Sequence, residues 1–276
     1  MIRALKLEWL KIKNYPTFWV LLGLYALALV IICFGGMFLL EYLKNHGADF
    51  EGIDPTILPI YDFPDIWQNT TYIGSFLKIL IAFIVVISIT NDQTYNTLRQ
   101  NIIDGISKKE YLIGKMLLIA ALALFSTVLL FISGLINGSV YSHVQGGQYV
   151  FDELEFLFAY WYDIVIFCAL AFLLSLIVKK AGFIIIALTL YSLMFEPILT
   201  MIFTEAPFLK GQIWASLAPY FPIHAINDLI PVPFPKYAFM EIEDNVPLSA
   251  LAISTVWFVI YLGSIVFILN RRDLKS

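Results

Sequence analysis

The chain contains six long apolar runs, at residues 17–40, 71–90, 116–140, 156–178, 181–203 and 248–269, and their length is what most constrains the fold. A helix rises 1.5 Å per residue, so about 20 apolar residues cross the roughly 30 Å hydrocarbon core of a bilayer. Each run meets that standard, and only Lys78, Asp163 and Glu196 are charged within them. The expected fold is therefore an all-α membrane protein of six transmembrane helices forming one membrane domain. Composition agrees: 60% of the residues are apolar and 14% charged, against about 45–50% and about 25% in soluble chains. The first run is too long for the apolar part of a secretory signal and follows a basic amphipathic segment, so it reads as a retained span. Cys33 and Cys168 both lie inside apolar runs, which argues against a disulfide framework or a structural zinc site.

The net charge of −4 conceals a gradient. Arg3, Lys6, Lys11 and Lys13 precede the first span. Arg99, Lys108, Lys109 and Lys115 lie between spans two and three, Lys179 and Lys180 between four and five, and Arg271, Arg272 and Lys275 after six. The opposite side carries only Lys44, Lys210 and Lys236, set against acids including Asp49, Glu51, Asp54, Asp62, Asp65, Asp152, Glu153, Glu155, Glu241, Glu243 and Asp244. Basic residues concentrate on the cytoplasmic side, so both termini are expected there, in a multi-pass protein of the cell membrane.

Two cytoplasmic segments have internal structure. Residues 1–16 put Ile2, Leu5, Trp9 and Ile12 on one helical stripe with bases around the rest of the axis, the pattern of an interfacial helix. Asn14, Tyr15 and Pro16 mark a bend into span one. Leu7 lies off the stripe, where an exposed apolar side chain points to a protein partner. In the 91–115 loop, Asp92 is placed to cap a short helix ending at Ile103, with Gly105 as its terminator. Ser107 and Glu110 form an S-x-x-E capping box for a second helix running into span three. Lys108 and Lys109 fall in its first turn, where they oppose the helix dipole.

With its amphipathic N-terminal helix, six spans and this loop, the chain resembles the permease subunits of type-2 ABC (ATP-binding cassette) exporters. The matching residues are Asp92, Thr97, Leu98, Arg99, Gly105, Ser107, Lys108, Lys109, Glu110, Gly114 and Lys115. The family often has Glu at the Asp92 position and Gly at the Asn96 position, departures that bear on where the loop helix starts. The resemblance implies that the N-terminal segment is an elbow helix and that residues 94–103 form a coupling helix against a separate cytoplasmic ATPase. The coupling contact would involve Leu7, Thr97, Leu98, Arg99, Gln100, Ile102 and Ile103. It also implies a second permease subunit, identical or closely related, and outward transport. The chain has no G-x-x-x-x-G-K-[ST] motif, since Gly114-Lys115 is followed by Met116. No cofactor is expected here, and ATP and magnesium would bind the partner.

Lys78, Asp163 and Glu196 each lie about seven residues from the outer ends of their spans, roughly 10 Å deep. Buried charges in lipid pair or face the bundle interior, so Lys78 is expected to pair with Asp163 or Glu196, as a structural pair or on a substrate path. Pro197 should kink or break span five. The proline-rich outer segment, 204–247, is too apolar for a solvated loop and fits either an interfacial or re-entrant placement or a packed cap. Asn69-Thr70-Thr71 matches a glycosylation triplet in an outer loop. His46, His143 and His224 are scattered, and no nucleophile elbow or zinc-binding H-E-x-x-H occurs, so neither enzymatic chemistry nor nucleic-acid binding is expected. Two other readings fit the same residues: an ion-coupled carrier or channel using Lys78, Asp163 and Glu196, and a non-transporting scaffold.

Overall fold

The computed structural model describes residues 2–46, 59–144, 146–205, 215–233 and 245–271, with the side chains of all but 2–5, 7, 37, 39–41, 43–45, 98 and 215. Leu7, Leu98 and the interfacial stripe positions Ile2 and Leu5 thus lie outside the described side chains. Residues 206–214 and 234–244 of the 204–247 segment, and Arg272 and Lys275, lie outside the described residues.

The described residues fold as helices. The N-terminal α1 (Ile2–Lys13) is followed by α2 (Pro16–Asn45), α3 (Ile66–Ser75), α4 (Lys78–Thr94) and α5 (Thr97–Ile103). The long α6 (Lys108–Tyr141) and the short α7 (Gly147–Phe151) lead to α8 (Glu155–Ile177). Last come α9 (Ala181–Leu190), α10 (Glu196–Glu205), α11 (Pro222–Asn227) and α12 (Leu248–Arg271). Among the described residues, five stretches are long and apolar enough to cross a membrane, and six if α3 and α4 form one bent span.

Helix α8 is the axis of the bundle. Two thirds of its apolar window (67%) is buried in the protein, against 17% for α12 and 22% for α2. It packs against α3, α4, α6 and α12. Ala159, Cys168, Ala169, Ala171 and Ser175 are all fully buried, and such small residues let neighbouring backbones approach. On α6, Gly138 faces the Phe63 ring and Gly134 the Trp67 ring, so closely that a Cβ at either position would collide.

Span two differs from the single helix expected over 71–90. It starts at Ile66 and bends by 45° between α3 and α4. A Gly-Ser pair, Gly74-Ser75, precedes the bend, a common site for kinks. The turn tightens there, with Phe76 N–H donating to Ile73 O at 3.4 Å and Leu77 N–H to Gly74 O at 3.0 Å. The bend makes Lys78 the first residue of α4. It also draws polar side chains inward: Asn69 is 3% exposed and donates to Ile60 O at 2.8 Å. The glycosylation triplet therefore sits inside a buried helix rather than in a loop.

Span five has the irregularity expected at Glu196-Pro197, as one π turn over Tyr191–Phe195 between α9 and α10. Proline removes an N–H and crowds the carbonyl four residues earlier, here Leu193, and the wider π turn accommodates both. The described part of the 204–247 segment packs into the bundle. Pro222, Ile223, Ala225 and Ile226 of α11 are buried. Ser254 of α12 donates to Ala225 O at 2.9 Å, and Trp257 to Tyr220 O at 2.9 Å.

Candidate coupling site and the buried outer clamp

Span three carries the loop motif directly into the bundle. The Ser107 hydroxyl accepts from Glu110 N–H at 3.1 Å, and Ser107 N–H donates to Glu110 Oε2 at 2.8 Å. This completes the capping box and starts a helix of 34 residues. Its length, roughly 50 Å, exceeds the hydrocarbon core, so α6 projects beyond the membrane. Lys108, which opposes the dipole of its own helix, donates to Asn270 O at 3.2 Å near the C-terminal end of α12. Carbonyls there lack intrahelical partners and favour a cation.

The loop helix expected over 94–103 starts later than residue 94. Thr94 closes α4, and Asn96 precedes α5 in a left-handed conformation, φ 54°. This is the position at which the related permeases often have Gly; Asn is among the non-glycine residues that adopt left-handed geometry most readily. Gly105, at φ 87°, ends α5. Its N–H donates to Ile102 O, and Ile106 N–H donates to Asn101 O at 2.9 Å, the two bonds of a Schellman motif, with Ile106 buried beneath.

Asp92 does not cap this helix. It lies within α4, 4% exposed, and belongs to a closed set of four charges. Lys11 Nζ sits 3.0 Å from Glu8 Oε1 and 3.1 Å from Asp92 Oδ1. Lys115 Nζ sits 2.8 Å from Glu8 Oε2 and 2.7 Å from Asp92 Oδ2. Each ammonium thus bridges both carboxylates, and the set is neutral. Lys115 also donates to Ser88 Oγ at 2.9 Å, and the Thr97 hydroxyl donates to Asp92 Oδ1 at 2.8 Å. Both ammonium groups lie over the Tyr111 ring, at 5.8 and 5.7 Å from its centre. The quartet ties α1, α4 and α6 together and reaches the first residue of α5.

Around it the expected coupling residues separate into two groups. Asp92, Thr97, Ser107 and Glu110 hold the loop's shape. Arg99, Gln100, Ile103, Gly105 and Lys109 are exposed, with Ile102 half-buried behind them. Ile103 and Tyr95 expose 64% and 72% of their surface, a large apolar share for a loop otherwise rich in charge. Sequence reasoning missed Glu8, Lys11, Lys115 and Ser88 as site residues. The available signal was Glu8 itself, the one acid in a basic segment, three residues before Lys11.

The charges within the spans form a second assembly at the other end of the bundle. Lys78 Nζ lies 2.6 Å from Asp163 Oδ1 and donates to Asn227 Oδ1 at 2.9 Å, with the Phe167 ring 5.5 Å away. Of the two partners expected, Lys78 takes Asp163. Glu196 turns to α11, where its Oε1 accepts from Ile223 N–H at 2.6 Å and His224 N–H at 2.8 Å. A carboxylate thus meets the N-terminal turn of α11, and a lysine grips its last residue, both with the sign the peptide dipoles favour. The three charges from α4, α8 and α10 hold one short helix from both ends.

Comparison with known proteins agrees with this geometry. A family model described as "ABC-2 family transporter protein" matches residues 4–196, from α1 through the loop to the π turn. No curated protein matches the chain. The family match spans well over half of the chain, including every residue of the quartet, and the chain accordingly belongs to the ABC-2 transporter family as a membrane permease of an ABC transporter.

Proposed function

We propose that the chain is the permease of an exporter driven by a separate cytoplasmic ATPase, which docks on the exposed face of α5. The observation that carries this reading is the quartet. A docking helix transmits force only if it is fixed to what must move, and Thr97 at the start of α5 is bonded to Asp92, which is bridged to α1 and α6. Pressure on α5 is therefore delivered to spans two and three and to the elbow helix together, rather than being dissipated in a free loop. The charge gradient supports a cytoplasmic placement for this end, and ATP and magnesium would be held by the partner.

The central position of α8 supports a path shared between two permease subunits, since the axis of the single bundle is filled by side chains. The clamp on α11 lies at the opposite end, where an outward path would finish. An ion relay through Lys78, Asp163 and Glu196 finds less support, because Glu196 is engaged by the α11 backbone and Lys78 by Asp163.

The test is Arg99→Glu, which reverses a charge on the exposed face and leaves the quartet intact. The permease should still insert and fold, while co-purification with its ATPase and stimulation of ATP hydrolysis should be lost. Unchanged association and stimulation would remove α5 as the docking helix.

A further inference from the structure

Glu196 engages only half of its carboxylate. Its Oε1 accepts from the backbone N–H groups of Ile223 and His224, while its Oε2 is buried with no hydrogen-bond partner among the described residues. The side chain is 1% exposed and makes no ion pair among the described residues. Asp163 also has a bare oxygen, Oδ2, but Lys78 lies 2.6 Å from its other oxygen and cancels its charge. Lys78 grips Asn227, at the far end of α11 from Glu196. His224, at the near end, turns its ring to Asp228, 3.5 Å away. Of the three charges within the spans, Glu196 is therefore the one without a countercharge among the described residues.

A second orphan lies in the field of the same carboxylate. The hydroxyl of Tyr261 on α12 is buried without a hydrogen bond, and Glu196 is the acid that acts on it electrostatically. Glu196 acts in the same way on Tyr191, at the start of the π turn. Helix α11 packs against both α10 and α12 and so spans the seam between Glu196 and Tyr261. Pro197 has no N–H, so one carbonyl of the preceding turn also lacks a backbone donor. Buried polar atoms in native folds are overwhelmingly paired, whether with protein, water or an ion.

The species that can pair with Oε2 differ in charge. A proton neutralises Glu196 but turns Oε2 into a donor with no acceptor in reach among the described residues, and it leaves Tyr261 bare. A water satisfies both oxygens but leaves a full negative charge in the membrane interior, where unmatched charge is costly. A divalent cation overshoots by one charge. A monovalent cation neutralises the carboxylate; oxygen ligands suit hard cations, and interrupted membrane helices supply them through free carbonyls. We infer that Glu196 Oε2 and the Tyr261 hydroxyl oxygen bind one alkali-metal cation in the seam between α10 and α12. The ion is a fixed countercharge rather than a relay, and it ties α12 to the clamp that already joins α4, α8 and α10. This inference does not rest on the docking of an ATPase.

The test is thermal unfolding of the purified permease in detergent micelles, in sodium, potassium or choline chloride at constant pH and ionic strength. Choline, whose charge is shielded by methyl groups from oxygen ligands, is the blank. Sodium or potassium should raise the melting temperature saturably, by roughly 3 °C at ten times the half-saturating concentration. Glu196→Gln keeps the side-chain volume and an acceptor for the α11 N–H groups, and should abolish the rise. Tyr261→Phe removes one hydroxyl and should increase the half-saturating concentration about tenfold; it serves alone if Glu196→Gln does not fold. Equal melting temperatures in the three salts would overturn the inference. So would a response unchanged in either folded variant, because the ion would then bind elsewhere.

Discussion

Charge balance in the quartet makes a sharp prediction about Lys115. This side chain is 1% exposed, with Glu8 at 2.8 Å and Asp92 at 2.7 Å. Lys115→Met leaves two buried carboxylates sharing one ammonium, and uncompensated buried charge costs about 3–5 kcal/mol. Glu8→Gln alone leaves the opposite imbalance and should cost a similar amount. The double variant retains Lys11 and Asp92, which are 3.1 Å apart, and is neutral again. Its cost should therefore be close to that of either single variant, a coupling of about 3 kcal/mol in its favour. Unfolding titrations in mixed micelles, followed by tryptophan fluorescence, provide the four free energies of the cycle. Tryptic cleavage at Lys6 and Lys13 reports separately whether α1 has come away. As a control, Lys109→Gln, exposed and outside the quartet, should give no rescue of Glu8→Gln. If the two changes add within about 0.5 kcal/mol, the quartet is not a charge-balanced unit.

The outer clamp should behave in the same way: Lys78→Met costs about 3–5 kcal/mol by stranding Asp163, and adding Asp163→Asn should recover part of that loss in the same titration. If the double change is tolerated no better than either single change, the pair contributes no mutual stabilisation. Gly138→Ala pushes a methyl group into the Phe63 ring and should destabilise by about 1–3 kcal/mol, seen as a lower melting temperature. Ser107→Ala removes the N-cap of α6 and should cost about 1 kcal/mol, with faster amide exchange confined to residues 108–111.

What could be read from the sequence divides along the range of the interactions. The capping box at Ser107 and Glu110 and the stop at Gly105 are local: their partners lie within a few residues, so spacing alone exposes them. Lys78 and Asp163 are 85 residues apart, yet that Lys78 needed an acid was legible, with Asp163 and Glu196 left as alternatives, because an isolated charge in lipid is too costly to leave unmatched. The quartet was hidden for the opposite reason. Lys11 and Lys115 look like ordinary basic flanks, and nothing local indicates that Lys115 reaches Glu8 across 107 residues. Asp92 stood near a plausible helix start, so a cap was the nearest local explanation, although a longer-range partner prevails. The bend before Lys78 was masked because the apolar run continues through it. The role of Glu196 depended on α11, whose position beside span five is set by the packing of α8, α10 and α12.

The closed form of the quartet has a further consequence, for ionic strength. At physiological salt, charges in water are screened over about 8 Å, whereas buried pairs are screened much less. Exposed Arg99 and Lys109 face the solvent, but Glu8, Asp92 and Lys115 do not. A salt wash should therefore strip whatever is held electrostatically on α5 while α1 keeps its grip on α4 and α6. The permease would leave such a wash with the exposed face of α5 bare and its internal linkage still set.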